Sequence, residues 1–106
     1  MFGDLMGNME EQQKALKAKL AQISVEAQAG DGAVKVKANA NREIVNISFD
    51  KSAMDWEDQE QVEDLVMVAV NRVLQLAAEK EAEETQKMIQ DMMPPGLGGL
   101  GNLFGG

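Results

Sequence analysis

Residues 23–49 of the chain read ISVEAQAGDGAVKVKANANREIVNISF, and this stretch decides the fold. Apolar and polar residues alternate through three short segments of it, which is the pattern of strands with one buried face. Gly30-Asp31-Gly32 and Asn39-Ala40-Asn41 separate the segments. Both suit tight turns, since glycine and asparagine tolerate left-handed backbone conformations. The stretch therefore predicts three antiparallel strands joined as a meander.

The alternation also predicts which side chains of the meander point into the core. The inward-facing residues are expected to be Ile23, Val25 and Ala27 in the first strand, Val34, Val36 and Ala38 in the second, and Val45, Ile47 and Phe49 in the third. Lys35 and Lys37 fall on the opposite side of the second strand. We therefore expect one apolar face and one solvated face.

A helix is predicted on each side of the meander. Residues 6–22 place Leu16 and Leu20 on one amphipathic stripe, so the first helix leans on another element without entering a deep core. Asp55 is the expected N-cap of a longer second helix that reaches about Asp91. The predicted class is α+β, with the order N-terminal helix, three-stranded antiparallel meander, long C-terminal helix (α-β-β-β-α).

The second helix carries two apolar stripes, and each needs a cover. The first stripe, which is expected to cover the sheet, consists of Val62, Leu65, Ala69, Val73 and Leu76. The second includes Met67, Val70 and Leu74, and a second copy of the chain is its most economical cover. Met67, Val70 and Leu74 are therefore the predicted dimer interface.

The end of the chain changes character twice. Beyond Ala78 the helix becomes strongly polar, and we expect a solvated arm there because it has little to bury. Pro94-Pro95 ends any helix. We expect residues 1–93 to form a single domain and the glycine-rich residues 94–106, which carry scattered leucines and a phenylalanine, to form a flexible tail.

The composition argues against an enzyme. The 106 residues include no cysteine, no histidine and no tyrosine, so disulfides, thiolate metal sites and the commonest general base are absent. The carboxylates of residues 55–64 crowd the start of a helix, where negative charge is favourable without any metal or acid–base role. We predict no catalytic residue, no metal site and no cofactor.

The location expected from the sequence is the cytoplasm. No stretch approaches the roughly 18 consecutive apolar residues of a membrane helix. The N-terminus lacks the basic region and the apolar run of a signal peptide. We therefore expect no membrane partner.

The net charge of −8 opposes binding to a polyanion, but the charge is unevenly distributed. Residues 12–54 hold seven basic residues against four acidic ones, whereas residues 55–93 hold three against eleven. The first half of the chain can therefore present a basic surface and the second half an acidic one.

The basic half supplies the candidate DNA-binding residues, which are Lys14, Lys17, Lys19, Lys35, Lys37 and Arg42. The plain alternative is that these are solvated surface side chains, and it weighs more for the two strand lysines, since lysine is ordinary on strand surfaces. Arg72 has three interpretations: contact with phosphate, pairing with an acid such as Glu57 or Glu60 at the helix surface, or pairing with an acid across a dimer. No motif for reading bases is present, so any DNA binding is expected to be directed at phosphates and salt-sensitive.

Several motifs and their order resemble the YbaB/EbfC family of bacterial nucleoid-associated proteins. The motifs are Met1-Phe2-Gly3, Val34-Lys35-Val36-Lys37-Ala38-Asn39, Asp64-Leu65-Val66 with Ala69 and Asn71, and Pro94-Pro95-Gly96-Leu97. The resemblance covers nearly the whole chain. It implies a tweezer-like homodimer with projecting helices, which binds double-stranded DNA with little sequence preference and acts in nucleoid organisation or gene regulation.

Two hypotheses of function follow. The first is a nucleoid protein that approaches the phosphate backbone of DNA through its lysines. The second is an acidic dimeric adaptor that recruits a recombination, repair or replication protein without strong DNA binding of its own. The negative net charge and the acidic ends of the second helix favour the adaptor.

Overall fold

Two helices and a three-stranded sheet make up the computed structural model, which describes the backbone of residues 2–92 and the side-chain burial of residues 6–91. The elements are α1 (Phe2–Ala21), β1 (Ser24–Ala29), β2 (Val34–Asn39), β3 (Ile44–Phe49) and α2 (Gln59–Met92). The predicted α-β-β-β-α order is confirmed. The predicted tail, residues 94–106, lies outside the described residues.

The sheet is the predicted antiparallel meander with the strand order β1-β2-β3. Val36 at its centre is paired with Ala27 on one side and Ile47 on the other. The third strand differs from its prediction in one respect, because the register shifts and pairs Ile44 with Ala38. The strict alternation expected along β3 is therefore interrupted by a bulge near its start.

The two turns of the sheet use different devices. In the first, Gly30, Asp31 and Gly32 all have positive φ, as expected. In the second, the left-handed residue is Arg42, with a φ of 63°, and neither asparagine adopts that conformation. Asn39 acts through its side chain instead, because its Oδ1 accepts hydrogen bonds from the backbone N–H of Asn41 and of Glu43. This is an asparagine-stabilised turn.

The start of α2 lies later than predicted. The carboxylate of Asp58 accepts a hydrogen bond from the backbone N–H of Gln61 at 3.2 Å, which makes Asp58 the N-cap. The predicted cap, Asp55, accepts a hydrogen bond from the N–H of Glu57 in the preceding turn. Both aspartates stabilise turns, but only Asp58 adjoins the first helical residue.

The core lies between α2 and the inner face of β1 and β2, and it is built from small side chains. Its buried members are Ala27, Ala29, Val34, Val36, Ala38, Ala69, Val73 and Ala77. Small residues on both surfaces let the helix approach the sheet closely. Leu76 was predicted to cover the sheet but is 41% exposed, whereas Val70 and Leu74 are partly buried against this core.

Arg72 joins one flank of α2 to the β1 edge of the sheet. Its Nη1 donates a hydrogen bond to the backbone carbonyl of Gln28 in β1 at 2.9 Å. The alternative pairing with Glu57 or Glu60 is wrong, because the guanidinium faces the sheet edge. Arg72 therefore marks the flank of α2 that lies toward β1.

The inner face of β3 is left uncovered by α2. All six residues of the strand are exposed, and Ile47 and Phe49 are each 42% exposed. The prediction that the third strand is buried in the core is therefore wrong for the single chain. Phe49 contacts Trp56 edge-on, with 5.2 Å between the ring centroids.

The second half of α2 extends past the sheet and packs against α1. A helix of 34 residues is about 51 Å long, whereas strands of six residues span about 20 Å. Leu20 of α1 is buried and Leu16 is partly buried. The expectation of a fully solvated arm is wrong, because Glu84 is only 5% exposed. In the part of the chain that is described, neither helix combines the length and apolarity needed to cross a membrane.

Replacing Gly30 by alanine should destabilise the protein. Gly30 has a φ of 66°, and a Cβ there would lie 2.9 Å from Cδ1 of Leu65. The left-handed conformation alone costs a residue with a side chain about 1–2 kcal/mol. Urea unfolding at one fixed protein concentration measures the change.

Gly7→Ala is the matched control. A Cβ at this helical position meets no atom within 4 Å, so alanine should stabilise the chain by about 0.5–1 kcal/mol. Equal stability of Gly30→Ala and the wild type would contradict the close packing of α2 on the first turn.

Candidate nucleic-acid interface

The end of α1 and the turn between β2 and β3 are joined by hydrogen bonds. Asn41 donates from its side-chain Nδ2 to the backbone carbonyl of Lys17 at 2.9 Å. The backbone N–H of Ala40 lies 3.1 Å from the carbonyl oxygen of Leu20. These contacts bring Arg42, which follows Asn41 in the turn, to the same end of the molecule as the lysines of α1.

Two of the basic side chains at this end are held by acids of α2. Nζ of Lys19 lies 2.8 Å from Oε2 of Glu84, and Nε of Arg42 lies 3.6 Å from Oε2 of Glu81. The side chains of Lys19 and Arg42 are 61% and 57% exposed, so both cations remain open to solvent on their other sides.

Lys14 and Lys17 are in a different situation. They are three residues apart on one face of α1, and both are exposed. Among the described side chains, neither lies within ion-pair distance of an acid. This exposed face therefore offers two cations that form no ion pair with the described acids.

The strand lysines form a second, separate group on the outer face of the sheet. Lys37 is directly opposite Glu26 in the register, and the two side chains are 3.8 Å apart at their charged atoms. Lys35 has no ion pair among the described residues. The six predicted DNA-binding residues thus divide between the α1 end, with its adjoining turn, and the sheet.

The acidic residues at the start of α2 build no alternative site. Among the described side chains, residues 6–91, no three acidic groups come together in an arrangement that could hold a metal ion. The carboxylates of Asp55 and Asp58 accept backbone hydrogen bonds instead.

Comparison with known proteins identifies the family. Residues 1–92 match the sequence model of the YbaB/EbfC DNA-binding family. The chain belongs to this family. The resemblance inferred from its motifs is therefore confirmed.

Individual YbaB/EbfC relatives span most of the chain. A nucleoid-associated protein of Moorella thermoacetica is 41% identical over 87% of this chain and 98% of its own length. Another, from Thermoanaerobacter pseudethanolicus, is 42% identical over 84% of this chain and 80% of its own length. The crystal structure of an uncharacterized protein from Helicobacter pylori superimposes with a TM-score of 0.71, 25% identity, and coverage of 83% of this chain and 92% of that one. The fold is therefore one already seen in a solved structure.

Two acidic residues of this YbaB/EbfC chain were not predicted as part of the site. Glu81 and Glu84 contact the basic residues directly, although their segment was expected to be solvated. Helical spacing carries the signal, because Glu84 lies seven residues, or two turns, beyond the buried Ala77. The buried stripe of α2 thus continues past the sheet onto a charged residue.

The Lys19–Glu84 pair should make stability depend on pH. Contact with the Lys19 ammonium lowers the pKa of Glu84, against the opposing effect of desolvation, and Lys87 adds to the lowering. A carboxyl with a lowered pKa stabilises the fold above its ordinary pKa, and this stabilisation is lost as the pH falls through the lowered value. Glu84→Gln should therefore be less stable at neutral pH and lose less stability on acidification, as measured by urea midpoints across a pH series.

Glu79→Gln provides the control, because Glu79 has no ion pair among the described residues. Its midpoint should follow the wild-type pH dependence. If Glu84→Gln lost as much stability on acidification as the wild type, the Lys19–Glu84 pair would not stabilise the fold.

Proposed function

We propose that the protein binds double-stranded DNA in the bacterial nucleoid with little sequence preference, and that it does so through phosphate contacts from α1. The observation that carries this proposal is the pair of exposed lysines, Lys14 and Lys17, neither of which forms an ion pair with a described acid. Family membership supports DNA as the ligand, and the relatives named nucleoid-associated proteins support the location. A role in nucleoid organisation or gene regulation follows from such binding.

Lysine chemistry explains why the contacts would be with phosphates. An ammonium group on a flexible stem is a point charge, which suits phosphate oxygens but lacks the planar fork that reads guanine. Contacts of this kind position a protein on DNA without reading its sequence. Each one releases condensed counterions, so the affinity should fall steeply with salt.

Replacing Lys14 and Lys17 together by glutamine should weaken DNA binding and reduce its salt dependence. The slope of log affinity against log salt should decrease by about 0.9 for each phosphate that the protein no longer neutralises. Fluorescence anisotropy of a labelled duplex, titrated with protein at several salt concentrations, measures both quantities.

Lys80→Gln is the control, since it removes one positive charge from a lysine that pairs with Glu83 on α2. It should keep the wild-type slope. If the wild-type affinity does not change with salt, or if the double variant keeps the full slope, the phosphate contacts are not made by this face.

The binding unit proposed here is a homodimer, formed by a second copy that covers the apolar flank of α2 and the inner face of β3. At 3.6 residues per turn, Met67, Val70 and Leu74 lie roughly opposite Arg72 on α2. Because Arg72 marks the β1 side, this flank faces β3 across the sheet order β1-β2-β3. The proposed interface residues would therefore lie on the flank of α2 that is nearer to the uncovered strand.

The apolar character of this surface supports a protein partner of the same kind. Met67 is 57% exposed, and on the inner face of β3 Ile47 and Phe49 are each 42% exposed. Contiguous apolar surface of this kind on a small chain is typically covered by association, and closed dimers are the commonest solution. β3 is also an edge strand, whose unpaired backbone groups favour pairing with another chain.

Met67→Lys or Ile47→Lys should therefore shift the protein from dimer to monomer, because each places a charge in the covered surface. Leu76→Lys is the control, since Leu76 has a similar exposure of 41% but lies on the Arg72 side of α2. Sedimentation equilibrium measures the mass in each case. A wild-type monomer, or equal dissociation by all three variants, would exclude this interface.

The second candidate function is the acidic adaptor for a recombination, repair or replication protein. It is favoured by the contacts of Lys19, Lys37 and Arg42, each of which already has an acidic partner. A folded dimer that does not bind the duplex even at low salt would select this alternative.

A further inference from the structure

We propose that Glu81 and Glu84 compete with DNA phosphates for Arg42 and Lys19, so that the acidic half of α2 is a built-in limit on DNA affinity. The inference rests on the DNA binding proposed above and concerns its regulation. Three observations support it: the geometry of the two ion pairs, the burial of the Glu84 carboxylate, and the division of the cations into two groups. Lys19 and Arg42 are held in ion pairs with α2, whereas Lys14 and Lys17 are free of ion pairs with the described acids.

The two acids are placed on the side of α2 that faces the basic end of the molecule. Glu81 and Glu84 are three residues apart, which puts them on neighbouring positions of one helix face. One contacts the turn between β2 and β3 through Arg42, and the other contacts α1 through Lys19. The same helix face thus pairs with a candidate DNA-binding cation on α1 and with another in the turn.

Because Glu84 is buried, breaking its ion pair with Lys19 is energetically unfavourable. The Glu84 side chain is 6% exposed, and its Oε2 is buried without a hydrogen bond of good geometry, so the nearby Lys19 ammonium is its main compensation. Its other oxygen lies 3.4 Å from Nζ of Lys87, which is shared with Glu83. A phosphate that took Lys19 would leave a poorly solvated carboxylate behind.

Held and free cations should contribute differently to the salt dependence of DNA binding. A free lysine that contacts a phosphate releases counterions from the DNA. A cation that is paired with Glu81 or Glu84 is already partly neutralised, so it attracts a phosphate less strongly. If the phosphate displaces the carboxylate, the carboxylate attracts a solution cation in its place. We therefore expect Lys14 and Lys17 to contribute to the salt slope of the wild type, and Lys19 and Arg42 to contribute little.

The experiment compares Glu81→Gln, Glu84→Gln and Glu79→Gln with the wild type by anisotropy of a labelled duplex across a salt series. Glu81→Gln should bind about two- to fivefold tighter, the range expected for release from an exposed ion pair, and Glu84→Gln, whose carboxylate is buried, should bind tighter by at least as much. Their slopes should steepen by up to about 0.9 for each cation that becomes free to meet a phosphate. Glu79→Gln removes the same charge from the same helix without freeing a cation, so its slope should stay at the wild-type value.

Double variants test whether the tighter DNA binding requires Arg42 and Lys19. The increase in affinity of Glu81→Gln should disappear when Arg42 is also replaced by glutamine, and that of Glu84→Gln should disappear with Lys19→Gln. Glu81 carries the test alone if the Glu84 variant fails to fold, because its side chain is 32% exposed and less dependent on its partner.

The outcomes separate this inference from the proposed function. Salt-dependent binding by the wild type with equal increases in affinity in all three variants would overturn the competition and leave DNA binding intact. Absence of binding by every folded variant at low salt would overturn both. Tighter binding restricted to Glu81→Gln and Glu84→Gln, and abolished with their paired cations, establishes the competition.

Discussion

The placement of α2 across only two strands determines the rest of the structure. Alanine and valine side chains on both surfaces let the helix lie close against β1 and β2, and Arg72 fixes its outer flank to the β1 edge. Two consequences follow from this one contact. The inner face of β3 stays uncovered, which leaves an apolar surface for a second copy, and the second half of α2 extends beyond the sheet to meet α1.

The meeting of α1 and α2 places opposite charges side by side. α1 and the turn after β2 carry cations, and the distal part of α2 carries the acids that hold some of them. The net charge of −8 is therefore compatible with a local cationic face, because Lys14 and Lys17 are exposed and lie outside ion-pair distance of those acids. The number of cations without an acidic partner should therefore determine DNA affinity more than the net charge does.

Much of the fold could be predicted from the sequence, because it depends on local patterns. Strict alternation located the strands, and the turn at Gly30 follows from its need for positive φ. The predictions of burial were wrong where the exposure of a residue depends on elements that are distant in sequence. The exposure of Phe49 reflects where α2 lies relative to β3, and the burial of Glu84 reflects the packing of α1. The candidate cations were visible in the sequence, but their ion pairs join segments that only the tertiary structure brings together.

The central claim is that exposed lysines of α1 contact DNA phosphates, and lysine footprinting tests it most directly. The wild-type protein is acylated with and without duplex DNA at low salt, and the modification of each lysine is quantified by mass spectrometry. The account predicts that DNA protects Lys14 and Lys17 strongly and leaves Lys51 and Lys80 unchanged, and that added salt removes the protection. Equal reactivity of Lys14 and Lys17 with and without bound DNA would contradict it.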